Sequence, residues 1–322
     1  MKTACSASLA VEAPIAAASA ASAVARRRVA RLLLPREHGS WALAFEPLVL
    51  GLLAAPSAAG AALALAVIAA FFARTPCKQV AADVRKRATL RLPNPERIHS
   101  MKCRASCGQA AADSAAFQTR PGHKGRPYIR QAGRVLAGRL LFLLATVAAA
   151  GIGVAAGLRG VSALWPLLPA LPCGAVFLLF DLRNDARAGV AEVAGAAAFA
   201  CVPGALAILA GWPASRAFGL TAVMLVRAVP TVLVIRACLR RRKGRPAAPG
   251  FALATAWGGV AVVLALVVSD VTGWLPLVLA SALALRAVWL LGPWAPAWSA
   301  RRLGIAEAVL GALYATTVGL GF

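Results

Sequence analysis

Glu46, within Ala42–Leu53, and Arg227, within residues 217–236, are ionisable residues inside apolar runs that read as membrane helices. An ionisable side chain at the centre of a membrane helix costs about 2.5–3.5 kcal/mol on insertion scales, so each needs a partner or a task. Sequence position converts to depth at about 1.5 Å per residue, which sets Glu46 about 12 Å along its helix from His38 and Arg227 about 13 Å from Arg236. The two therefore lie at similar depth on separate helices, and the spacing predicts an ion pair or a shared ligand site. The bland alternative leaves Arg227 snorkelling to the interface and Glu46 protonated.

Other chemistry-bearing residues crowd the same end of the apolar runs. Glu37 and His38 precede the first run and Trp41 follows at interface depth. A carboxylate beside an imidazole favours its charged form, so His38 is either a proton carrier or a helix-start residue packed at the interface. Arg74, Lys78 and Asp83 follow the second run, Asp181 and Asp185 close the fourth, and Arg236 ends the sixth. Glu192 and Glu307 stand just inside the fifth and ninth, at their cytoplasmic ends. Together they predict a polar, mostly cationic cavity opening inward, against the alternative of ordinary helix capping and charge anchoring for the interfacial members. Cys103 and Cys107, with His99 and His123 nearby, match no strong zinc spacing, and no metal is expected.

The elements that must position these groups follow from composition. With 60% hydrophobic and 14% charged residues in 322, and a mean hydropathy of +0.74, the chain carries more apolar surface than a soluble core can hide. The reading is an all-α, polytopic membrane bundle. Nine apolar segments are expected, near 40–56, 58–73, 139–157, 162–180, 190–212, 217–236, 251–269, 273–291 and 304–321. Each approaches the length a helix needs to cross about 30 Å of hydrocarbon.

The net charge of +24 lies in a few loops rather than on soluble domains, so nucleic acid is not the expected partner. With the N-terminus inside, the cytoplasmic loops hold Arg74 to Arg139, Arg183 and Arg187, Arg236 to Arg245, and Arg301 with Arg302. The outer loops hold Arg159, Arg216 and Asp270 and little else. This bias predicts a cytoplasmic N-terminus and an outer C-terminus, with the bacterial cytoplasmic membrane as the expected location.

Four regions follow. Residues 1–34 form an Ala/Arg-rich tail, expected to be disordered; 35–87 hold the first two helices with their polar opening motif; 133–322 hold helices three to nine. Residues 88–132 are either an irregular cytoplasmic loop or a stretch read in the wrong frame of a GC-rich gene, with Pro93-Asn94-Pro95 and little periodic hydrophobicity.

Pro35-Arg36-Glu37-His38-Gly39-Ser40-Trp41, the Arg74-Thr75-Pro76 exit from the second run, and Arg227-Ala228-Val229-Pro230-Thr231 leading to Arg236 resemble the YwiC-like family of bacterial membrane proteins. The resemblance covers residues 33–87 and 134–322. It implies a multi-pass membrane protein and draws attention to Glu37, His38, Gly39, Trp41, Arg74, Pro76, Arg227 and Arg236. The long stretch 88–132 departs from the family's short basic loop.

The expected topology is also similar to that of the UbiA-type prenyltransferases, which bind diphosphate through Mg²⁺ held by Asp-rich loops after the second and sixth helices. Here those loops supply one Asp, so no cofactor is expected. Mg²⁺ enters only under a transferase alternative, with Asp83, Asp181 and Asp185 as its ligands. Arg and Lys hold an anion directly. The favoured expectation is a non-enzymatic membrane protein binding or moving a small anionic solute, with Arg74, Lys78, Arg227 and Arg236 supplying positive charge and Glu46 and His38 handling charge balance. An accessory subunit of a membrane complex is the third reading, and the oligomeric state is open.

Overall fold

A computed structural model describes residues 38–91, 126–183, 185, 188–296 and 298–322. Among them the chain is helical throughout: α1 (His38–Ala54), α2 (Ala58–Arg91), α3 (Arg126–Arg159), a 3₁₀ segment (Val161–Leu167), α4 (Ala170–Leu182), α5 (Gly189–Ala200), α6 (Val202–Leu209), α7 (Ala214–Arg242), α8 (Pro249–Val268), α9 (Trp274–Leu291) and α10 (Ala300–Gly321). Such length and apolarity make this a multi-span helical membrane protein, because only helices and closed barrels satisfy every backbone group within lipid.

Among the described residues, seven helices are long and apolar enough to cross a bilayer, with Gly189–Leu209 taken as one, and eight if the bent pair of the 3₁₀ segment and α4 is a single span. Two expected segments account for the difference from nine. The apolar part of α1, Trp41–Ala54, is shorter than a full crossing. The 162–180 segment bends by 56°, where Pro166 sits in the 3₁₀ segment and Pro169 caps α4. Proline lacks the N–H that would continue the ladder, so successive prolines break one apolar run into two short helices. The 190–212 run is divided in the same way at Cys201, with Pro203 at the start of α6.

Several helices outrun their expected limits. α2 continues past 73 to Arg91 and α3 starts at Arg126 rather than 139. Within 88–132, residues 88–91 therefore finish α2 and 126–132 begin α3, and 92–125 lie outside the described residues, as do the tail 1–34 and the Cys103, Cys107, His99 and His123 group.

The described residues divide into two compact units, 72–91 with 126–143 and 38–71 with those from 144 onward. In the first, the described parts are the second half of α2 and the first half of α3, where Asp83 and Arg134 form an ion pair at 3.8 Å.

In the second, α7 is the central element, packing against α5, α6, α8 and α9, while α1 lies against α10 and α6. Small residues let these helices approach closely. On α10, Gly311, Ala315 and Gly319 recur every fourth residue and so share one face, and all three are buried. That face meets α1: a Cβ at Gly319 would stand 2.9 Å from the Leu53 Cβ and 3.1 Å from the Leu50 carbonyl oxygen. Leu50, Leu220, Val223, Met224, Val263 and Val318 fill the space between. Large apolar side chains such as Ile152, Val154, Val262, Val278 and Leu285 point outward, as a lipid-facing surface requires.

Candidate functional site

Four charged side chains from four helices meet inside the second unit. Arg227, 2% exposed, comes from the middle of α7. Its Nη2 lies 3.6 Å from Glu46 Oε1 on α1, and its Nη1 lies 3.7 Å from Glu307 Oε2 on α10. Glu307 Oε1 in turn pairs with Arg286 on α9. Charges thus alternate along Glu46, Arg227, Glu307 and Arg286. Two carboxylates and two guanidiniums sum to zero when all are ionised, which is the arrangement a low-dielectric interior tolerates best.

Local sequence explains why these groups converge. Glu46 is followed by Pro47 in α1, and Arg227 precedes Pro230 in α7. An internal proline releases the carbonyl four residues earlier from the helical ladder, and nearby polar groups supply replacement donors. Thr231 completes the arrangement: its hydroxyl donates to the Arg227 carbonyl at 2.6 Å and accepts from Arg227 Nη1 at 2.5 Å. Arg227 Nη2 donates to the Glu307 carbonyl at 3.3 Å.

On the far side, the guanidinium carbon lies 5.9 Å from the centre of the Tyr314 ring, within cation–π range. The Tyr314 hydroxyl donates to the Val223 carbonyl at 3.1 Å. Gly311 leaves the room that the Glu46 carboxylate occupies, since a Cβ there would collide with it.

The hydrogen bonds of Arg227 do not saturate it. A guanidinium carries five N–H donors, and the buried Nε has no acceptor. Both carboxylates stand at ion-pair distance, beyond the 2.7–2.9 Å typical of a charge-assisted hydrogen bond. Beside the cluster, Val226, Pro230 and Thr231 of α7 and Arg286 of α9 help line a crevice of about 10 Å³, room for about one water.

A second pair sits nearer the end of α7, where Arg236 Nη1 donates to Glu192 Oε2 on α5 at 2.8 Å. Both side chains are partly exposed, 27% and 33%. Arg236→Gln is expected to lower unfolding free energy by only about 0.2–1 kcal/mol, the range of solvent-exposed pairs, in an equilibrium titration from mixed micelles. A loss several times larger would show that this pair is sealed from water.

Trp41 stacks on Phe45 at 5.7 Å and meets Phe71 edge-on at 5.7 Å, in an aromatic group that extends to Phe199. Asp181 is fully buried at the end of α4, and Asp185 is exposed beyond it. Arg74, Lys78 and Asp83 lie on the part of α2 that belongs to the first unit. Glu37 lies outside the described residues, as does the side chain of His38, which begins α1. Among the described residues, no three His, Cys, Asp or Glu side chains gather as a metal site would need.

Three members of the site escape the sequence reading, Arg286, Gly311 and Tyr314, while Thr231 stands in the motif read after Arg227 without a role given to it. Arg286 carried a usable signal, as the single charge in the apolar run Trp274–Leu291. Glu307 lies deeper than expected because α10 begins at Ala300, not 304, so the residue stands about 10 Å into the helix rather than one turn.

The family model for YwiC-like proteins covers residues 34–95, which include α1, α2 and the motif that leads into them. No curated protein and no solved structure matches the chain.

Proposed function

We propose that this membrane protein, YwiC-like over its opening segment, binds a small anionic solute at Arg227 and carries it across a bacterial cytoplasmic membrane. The observation that supports this reading is the burial of Arg227 in the middle of α7 with an Nε–H that no protein acceptor meets. A permanent cation placed deep in a membrane protein marks a solute or ion pathway more often than it marks stability, because a structural role is met more cheaply by apolar residues. By the charge bias of the loops, Arg74 and Lys78 on α2 and Arg236 near the end of α7 add positive charge on the cytoplasmic side, and His38 handles protons at the start of α1. In this reading the chain crosses nine times, with α1 and the bent 3₁₀–α4 pair each counted once, the N-terminus inside and the C-terminus outside.

The test is a thermal-shift screen of detergent-purified protein against chloride, phosphate, formate, acetate, lactate and succinate, repeated with Arg227→Gln. At least one anion is expected to raise the midpoint of the wild type by a few degrees and to leave the variant unmoved, as binding to the native state alone requires. If none of the six stabilises the wild type, the anion reading fails. A stoichiometric protein partner in the purified sample would then point to an accessory role.

A further inference from the structure

We propose that Arg227 takes a small monocarboxylate in place of the Glu46 carboxylate, and that each anion bound brings one proton, carried on Glu46. This rests on the anion-binding reading above and adds the ligand class and the coupling.

Charge balance supplies the first step. The four-residue cluster is neutral with all its members ionised, and its centre is shielded by four packed helices, with Arg227 buried and Glu46, Glu307 and Arg286 partly buried around it. Adding an anion leaves one uncompensated negative charge there, which a low-dielectric interior resists far more than water does. A proton delivered to one carboxylate restores neutrality.

Geometry then selects Glu46 over Glu307. Glu307 is tied to two guanidiniums, Arg227 and Arg286, and its own backbone carbonyl accepts from Arg227. Glu46 has one charged partner, at 3.6 Å, where Glu307 has two, and its carboxylate lies against a glycine. The other groups facing it do not compete for the proton. α10 presents Glu307 and Tyr314, whose hydroxyl is held by Val223. α7 presents Arg227, and α5 carries Glu192, which is paired with Arg236. α6 carries no acid or base, and on α1 itself the other titratable residue is His38, at the start of the helix.

The ligand class follows from what Glu46 leaves behind. A neutral Glu46 gives up its hold on Nη2, and the Nε–H that has no acceptor becomes the second donor of a fork. A planar two-oxygen anion matches that fork. A Cβ at Gly311 would overlap the place the Glu46 carboxylate occupies, so a ligand that takes that place is held to a small size.

The experiment is calorimetric titration of the full-length protein in detergent with formate, acetate and lactate, each in two buffers of different ionisation enthalpy. The difference between buffers counts protons. The wild type is expected to take up about one proton per anion bound, and its affinity to fall about tenfold per pH unit where Glu46 is charged. Glu46→Gln, neutral at every pH, is expected to bind without proton uptake, with a flat pH profile and tighter than the wild type at alkaline pH.

Binding to the wild type without proton uptake, or uptake that persists in Glu46→Gln, overturns the coupling and leaves anion binding intact. If chloride or phosphate stabilises the protein and no monocarboxylate binds, the ligand class is wrong. If no anion binds at all, the underlying reading falls with it. Should Glu46→Gln not yield folded protein, an infrared difference spectrum of the wild type with isotopically shifted acetate decides the matter. A new protonated-carboxyl C=O stretch is expected from the protein, and its absence overturns the assignment.

Discussion

Arg227→Gln is expected to be the most destabilising single substitution in the charged cluster, lowering unfolding free energy by about 3–5 kcal/mol, the cost of leaving a buried charge without its partner. The reason is the order of charges. Arg227 is the member that separates two carboxylates, so its loss sets Glu46 and Glu307 against each other with Arg286 alone to balance them. Glu46→Gln removes one charge from the end of the series and is expected to cost less. The double variant Glu46→Gln with Arg227→Gln has Glu307 and Arg286 paired and no surplus charge, so it should recover part of the loss. Equilibrium unfolding by detergent titration from mixed micelles measures all three, and a coupling of about 0.5–3 kcal/mol is expected for residues in one network. Strictly additive losses would show that the 3.6 Å approach carries no energy.

The same cluster shows how far the sequence could be read. Converting position to depth puts Glu46 and Arg227 at one level, and the folded chain holds them within ion-pair distance. Depth alone says nothing of azimuth, so it does not reveal that Arg236, nine residues along α7, faces α5 instead of the cluster. Nine residues turn an α-helix by about two and a half revolutions, which places the two arginines on opposite sides. Arg236 accordingly meets Glu192 on α5, while Arg227 meets α1 and α10. The mostly cationic cavity expected from counting charges by side of the membrane thus becomes, in its buried part, a neutral cluster plus a separate pair.

Helix limits were harder to read for a different reason. Apolar composition reports where a span can lie, whereas proline decides whether it is continuous. Pro47, Pro76 and Pro230 lie inside helices that continue through them, while Pro166 and Pro169 accompany a 56° bend. In α7, Thr231 ties the side chain and carbonyl of Arg227 together one residue past the proline. At the other end of the scale, Arg301 and Arg302 look like loop residues by charge, yet they form the first turn of α10. Ser299 caps that turn by accepting from the Arg302 N–H at 3.3 Å, a signal of the usual N-cap kind. Reading it would have set Glu307 at its true depth.

Gly319→Ala is expected to weaken the fold by about 1–3 kcal/mol, the usual cost of overpacking, and Gly319→Leu by more. The added Cβ meets the Leu50 carbonyl and the Leu53 Cβ, parts of α1 that cannot rotate away, so α1 and α10 must separate. Gly311→Ala, two turns earlier on the same face, offers the informative contrast. Its Cβ strikes the carboxylate of Glu46, the free end of a flexible side chain that can swing aside. That variant displaces Glu46 from Arg227 and is expected to cost no more than the coupling of that pair, about 0.5–3 kcal/mol, so its effect should vanish in a Glu46→Ala background. Detergent-titration unfolding of the single variants, with anion binding measured alongside, separates the two roles. A Gly319→Ala protein as stable as the wild type would mean that α1 and α10 are not held at the distance their shared face implies. A Gly311→Ala protein with Glu46 and its binding unaltered would mean that the carboxylate does not rest on that glycine. The two substitutions differ by one methyl group each and by eight residues, yet one loads the backbone of α1 and the other its charge.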